Sequence, residues 1–358
     1  MYYLTIIILI SFFNTIHSQD CLTNEVEIWD TCYSIQNTTI LQNSDNTTGY
    51  IPNEICELIN LEILDLEVMW GDANYVTGEI PECIGNLVNL TYLNLGWNYL
   101  YGEIPESIGN LTNLTFLSFL SNQLTGAIPA NIGNLTNLTY LNFVRNDFYG
   151  FLPETIGNLN QLTELYFTQN HLTGRLPETL GNLTNLRMIS IFDNNFNGPI
   201  PESIGNLINL ESLNAGANNL QGEIPESIGN LINLERLWLN VNALSGPIPE
   251  SICNLTNIIW SAEFIGDGEH SYINYNQLCP IYPGCIADEV GEQNIGDCTD
   301  FQIGDLNYDN VLDILDIIIL VNIILDNEYN DNADLNEDGN IDILDIIMYT
   351  NIILNNHY

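Results

Sequence analysis

Residues 200–223 read IPESIGNLINLESLNAGANNLQGE, and the chain restarts this phrase at a constant interval, at Ile80, Ile104, Ile128, Leu152, Leu176, Ile200, Ile224 and Ile248. An earlier copy begins at Ile51 and is stretched by an insertion around Met69–Tyr75. A fixed period of the length from Ile200 to Ile224 means stacked units that share one continuous core, each touching mainly its neighbours. Within a unit, apolar residues follow LxxLxL and then xxNxLxG, as at Leu90, Leu93, Leu95, Asn98, Leu100 and Gly102. The period of two at Leu93 and Leu95 predicts a short strand with those side chains inward and Tyr92 and Asn94 outward. Stacked copies then form a parallel sheet. Asn98, Asn122, Asn146, Asn170, Asn194, Asn218 and Asn242 fall where the chain turns, and a buried amide there can satisfy backbone groups that no strand reaches. An internal asparagine ladder is expected. The glycine series Gly102 to Gly246 marks left-handed or crowded backbone, and the prolines from Pro81 to Pro249 mark positions where no amide donor is wanted.

The wording GxIPxxIGNLxNLxxLxLxxNxL resembles the plant-type leucine-rich-repeat family over roughly residues 51–265. The resemblance implies an α/β-type repeat, a right-handed solenoid with its parallel sheet on a concave face that binds proteins, peptides or sugars. Residues 1–18, MYYLTIIILISFFNTIHS, read as a secretory signal peptide, with a retained membrane anchor as the competing reading. Residues 19–50 read as an N-terminal cap, 51–257 as the leucine-rich repeats, 258–298 as a C-terminal cap and 299–358 as a separate small domain. No other apolar run is long enough to span a membrane.

The chain has no lysine, four arginines and 46 acidic residues, for a formal charge of −42. Such a surface excludes nucleic acid and anionic membrane as partners. The eight cysteines sit in two groups, Cys21, Cys32, Cys56 and Cys83 at one end and Cys253, Cys279, Cys285 and Cys298 at the other. Disulfides that close the two solenoid ends are expected, since zinc would need paired CxxC spacing that is missing. Each group allows three pairings. Stacking favours Cys56 with Cys83, which occupy the sixth and fourth positions of successive units. Nine Asn-x-Ser/Thr matches arise mostly from the repeated phrase GNLTNLT and carry little weight.

After Cys298 two segments repeat one another, GDLNYDNVLDILDIIILVNIIL from Gly304 and ADLNEDGNIDILDIIMYTNIIL from Ala333. Oxygen-bearing residues fall at calcium-loop spacing: Asp305, Asn307, Asp309, Asp313 and Asp316 in one copy, Asp334, Asn336, Asp338, Asp342 and Asp345 in the other. Val311 and Asn340 would contribute backbone carbonyls at the seventh position. Two calcium ions are the expected cofactor. With aspartate closing each loop and one apolar helix following it, residues 304–355 resemble a type I dockerin, a small all-α domain. That resemblance implies a cohesin-like protein module as partner. In this family the tenth and eleventh loop positions help read the cohesin, which here means Ile314, Leu315, Ile343 and Leu344.

Outward strand positions carry Tyr92, Phe116 and Tyr140 in register, followed by Tyr166, Phe192 and Trp238, with Trp97 at a strand exit. Rings beside Asn94 and Asn142 suit a protein or glycan ligand, although aromatic residues also favour strands without any ligand. No nucleophile elbow or metal triad is present, and the four histidines are scattered. The expected role is a non-catalytic extracellular binding or adhesion protein that is secreted or held at the cell surface. The alternatives are a component of a polysaccharide-degrading complex and a purely structural surface protein.

Overall fold

The computed structural model describes residues 21–43, 47–68, 75–263, 268–280, 282–295, 298, 304–306, 312–326, 333–336 and 339–355. The proposed signal segment and most of the insertion at 69–75 lie outside them. Nine parallel strands, from Ile40–Gln42 to Arg236–Trp238, form one continuous sheet in strict chain order. Their register matches the repeat, with Tyr92 opposite Phe116 and Phe116 opposite Tyr140. Each of these strands is short because the turn asparagine follows at once.

The phrase PESIGN forms a five-residue 3-10 turn in each unit, from Asn53–Glu57 to Glu250–Asn254, each preceded by an extended proline. Proline suits this position because the first helical N–H has no partner to lose. Strand, turn and connecting leucines converge on a single core in which Leu93, Leu117, Leu141 and Leu165 are fully buried. Phe119, Phe143 and Phe167 thicken it midway, with Phe119 stacked on Phe143 at 5.1 Å.

The asparagine ladder is present. Asn146 donates through Nδ2 to Phe119 O at 2.9 Å and Phe143 O at 3.3 Å, and its Oδ1 accepts Leu124 N–H at 3.0 Å. Asn276 continues the ladder into the C-terminal cap, donating to Leu239 O and accepting from Leu244 N–H. The chain beyond the last regular repeat therefore adds an irregular further turn, and Gln277–Cys279 pairs in parallel with Ala243–Pro247. A second, exposed amide series links the outer loops, with Asn113 donating to Val88 O and Asn137 to Thr112 O.

Two glycine series serve different ends. Gly102 to Gly246 take φ near +80°, as expected of left-handed positions. The other series, in the IGN of each turn, is needed for close approach: a Cβ on Gly157 would strike the Thr179 carbonyl and side chain of the next unit. Where cysteine replaces glycine in this column the same proximity allows a covalent bond, and Cys56 joins Cys83 as expected from stacking. Cys253 occupies the equivalent column at the far end and pairs with Cys285, while Cys21–Cys32 and Cys279–Cys298 complete four bridges. At the N-terminal end the antiparallel hairpin Glu25–Ile28 and Thr31–Ser34 covers the core with Val26 and Ile28.

Helices α1 (Ile314–Asp326) and α2 (Ile343–Asn355) form the tail, with Leu306, Leu320, Ile323, Ala333 and Tyr349 as its core. No helix among the described residues is long and apolar enough to cross a membrane.

Candidate functional site

The concave strands bring the predicted rings together, but as a stack rather than as free-standing side chains. Parallel strands lie about 4.8 Å apart, so in-register rings must touch. Tyr92 stacks on Phe116 with centroids at 4.2 Å, Phe116 on Tyr140 at 4.4 Å, and Tyr166 leans on Tyr140 at 5.7 Å. All four are half-buried.

The amides beside them differ from the sequence reading. Asn94 and Asn142 point outward by alternation, yet they are only 3% and 7% exposed. Each folds back on its own chain. Asn142 Oδ1 accepts the N–H of Val144 and its Nδ2 donates to the Tyr140 hydroxyl at 2.9 Å, while Asn94 accepts from Gly96 N–H and donates to Glu67 Oε2. A short amide satisfies the strand-exit backbone locally, as asparagine does in turns. The ring edges and hydroxyls are therefore the groups left for a ligand.

Trp97 stands just beyond its strand at φ 53°, and the residue before each ladder asparagine does the same, Ser121, Arg145, Gln169 and Asp193 among them. This left-handed column aims side chains over the concave rim, and the xxN wording that places it gives no sign of the conformation. Arg145 lies 6.0 Å from the Trp97 ring centroid and donates through Nε to Gln169. Trp238 is tied to the cap by a 2.7 Å bond from Nε1 to His270 O, and Phe192 borders Gly216.

Beside the strand entries runs an open polar trough of about 700 Å³, lined by Thr163, Arg187, Asn209, Glu211, Asn233 and Glu235 among others. Arg187 grips Glu211 through two bonds of 2.8 Å. Burial and a hydrogen bond to the Glu164 carboxylate hold the Tyr166 hydroxyl far above the ordinary tyrosine range. Burial likewise raises the Tyr92 and Tyr140 hydroxyls and the Asp65 carboxyl. A raised carboxyl favours folding below its unfolded pKa and loses that contribution as pH rises through the folded value. Asp65→Asn is thus expected to raise the melting temperature at pH 7 but not at pH 3, as differential scanning calorimetry would record.

In the tail, Asn307, Asp309, Val311 and Asp338 lie outside the described residues. The closing carboxylates Asp316 and Asp345 are fully buried and clasp both ends of their loops. Asp316 accepts N–H groups from Leu306 at 2.8 Å and Asp313 at 2.9 Å, and Asp345 accepts from Leu335 at 2.9 Å and Asp342 at 2.8 Å. Asp334 accepts from Gly339 at 2.7 Å, and Asp305 is also buried. Asn336 and Asn340 belong to the same loop. No lysine or arginine follows Arg236 in the chain. Burying carboxylates is costly unless hydrogen bonds or a cation satisfy them, and an all-oxygen set fits a hard dication. Among the described residues no group of three or more His, Cys, Asp or Glu side chains is gathered as a metal centre. Ile314 and Ile343 are 67% exposed and Leu315 and Leu344 50%, so these four side chains stand in solvent outside the tail core.

Residues 54–214 match the family described as leucine-rich repeat region, and residues 209–231 and 233–255 match leucine rich repeat. No curated protein matches the chain. Among solved structures, the plant peptide hormone receptor RGFR1 in complex with RGF2 is 35% identical over 69% of this chain and 38% of its own, with a TM-score of 0.62. The Arabidopsis receptor kinase HAESA, in complex with the peptide hormone IDA and the co-receptor SERK1, is 32% identical over 70% of this chain and 41% of its own, with a TM-score of 0.62. A plant ice-binding protein is 26% identical over 75% of this chain and 86% of its own, with a TM-score of 0.54. The chain thus spans less than half the length of the two receptor chains. Its repeat region is a leucine-rich-repeat solenoid of plant receptor-like type.

Proposed function

We propose that this is a non-catalytic extracellular capture protein whose concave face takes an extended peptide or protein segment. The observation that carries the reading is the run of rings from Tyr92 to Tyr166, which offers a continuous apolar strip with hydroxyls along its edge. One similar solenoid belongs to a plant peptide hormone receptor solved in complex with RGF2, and another was solved in complex with the peptide hormone IDA and a co-receptor. Four disulfides fit an oxidising compartment. The reading extends to the tail, where two calcium ions held by Asp305, Asp316, Asp334, Asp345 and their loop partners would order a dockerin-like attachment domain. Ile314, Leu315, Ile343 and Leu344 would then meet a cohesin-like partner. Panning a displayed random peptide library against the calcium-loaded full chain tests the concave face. Enrichment of sequences that compete with one another for a single site is the expected result, and failure to enrich any contradicts it.

A further inference from the structure

A second aromatic surface lies on the flank of the solenoid, away from the concave sheet. The segments after the ladder asparagines pair into further parallel sheets, among them Tyr99–Glu103, Gln123–Thr125 and Tyr149–Phe151. These strands are staggered by two residues relative to the repeat, Tyr101 facing Gln123 and Tyr149 facing His171. Hydrogen bonds from Asp147 N–H to Leu124 O and from Tyr149 N–H to Gly126 O carry the surface across the middle.

Alternation turns Leu100 and Leu124 into the core and leaves Tyr99, Tyr101, Tyr149 and Phe151 outside at 52%, 43%, 54% and 69% exposure. These rings are much more open than the concave stack. Phe151 lies across Gly174 of the next unit, where a Cβ would collide with it, so glycine leaves room for the ring to lie down. Between the two pairs, Gln123, Thr125 and Ala127 leave a shallow step two strand spacings wide, about 10 Å across the sheet. Farther along, Asn195, Asn197, Asn219 and Gln221 are exposed on the same flank.

We propose that this flank binds a neutral, β-linked polysaccharide, independently of the concave face. A pyranose with equatorial substituents has a C–H face that stacks on an aromatic ring and a rim of hydroxyls that pairs with amides and hydroxyls. Apart from Glu103, the outward residues on these strands are the four rings, the Gln123 amide and Thr125, with no exposed leucine, isoleucine or valine from Tyr99 to Phe151. Glu79, Glu103 and Asp147 border the rings, and the chain carries a charge of −42, so polyanionic glycans are repelled.

Affinity electrophoresis of the full chain through gels containing hydroxyethyl cellulose, xyloglucan, mannan, xylan or anionic carboxymethyl cellulose tests this. Retardation by at least one neutral β-linked polymer, and less by carboxymethyl cellulose, is expected. Tyr101→Ala/Tyr149→Ala/Phe151→Ala should weaken it at least tenfold with an unchanged melting temperature. Phe116→Ala on the concave face should leave it intact. The proposal is overturned if no neutral polymer retards the chain, if the flank variant is retarded as strongly as wild type, or if the flank takes only a protein.

Discussion

Asn146→Ala is expected to destabilise the solenoid by roughly 2–4 kcal/mol, since one buried N–H is left without its side-chain acceptor, at about 1–3 kcal/mol, and two buried carbonyls each lose one donor, at about 0.5–1.5 kcal/mol. The Leu124 N–H loses its side-chain acceptor, while the carbonyls of Phe119 and Phe143 each lose one of two amide donors, the other coming from Asn122 at 3.2 Å and Asn170 at 2.9 Å. Water cannot replace the Asn146 amide without opening the unit. Neighbouring units support one another, so the loss extends beyond the mutated coil. Urea unfolding of Asn137→Ala provides the contrast, because its exposed amide makes one bond to Thr112 O that water can replace. Its cost should be at most about 1 kcal/mol. Equal effects from the two variants would mean that the ladder is not what holds the turns.

Chelation is expected to remove the helical signal of α1 and α2 while the solenoid persists. Thirteen acidic residues lie between Asp300 and Asp345 with no basic residue among them, so empty loops repel themselves. Calcium titration of the full chain should give two sites, and Asp345→Ala should abolish one. Asp345 carries this weight because one buried carboxylate clasps N–H groups at both ends of its loop. An absence of both binding heat and calcium-dependent circular dichroism would refute the dockerin-like reading.

Periodicity made the solenoid legible because the same physical requirement recurs at every restart of the phrase from Ile80 to Ile248. The asparagine ladder, the inward leucines, the left-handed glycines and the Cys56–Cys83 bridge all follow from stacking identical units. Pairings such as Cys253–Cys285 did not, since the cap abandons the repeat and sequence distance no longer measures spatial distance. Asn276 escaped notice for the same reason, lying farther beyond Asn242 than the regular interval that separates Asn218 from Asn242. Strand alternation placed Asn94 and Asn142 on the outer face correctly, but it cannot tell whether a short amide reaches outward or turns back to its own backbone. The flank rings were visible as alternation around Leu100. They were masked by the stronger signal of the asparagine and glycine on either side.

The central claim is capture on the concave rings, and the direct measurement is calorimetric titration of a library-selected peptide into three proteins: wild type, Tyr92→Phe/Tyr140→Phe, and Tyr92→Ala/Phe116→Ala/Tyr140→Ala. Because the rings stack, truncating them also removes contacts within the sheet, so each protein is first checked for an intact melting transition. The capture account predicts that the phenylalanine variant keeps affinity within a few-fold while the alanine variant loses more than tenfold, about 1.4 kcal/mol or more. Equal affinity of the folded alanine variant and wild type would contradict it.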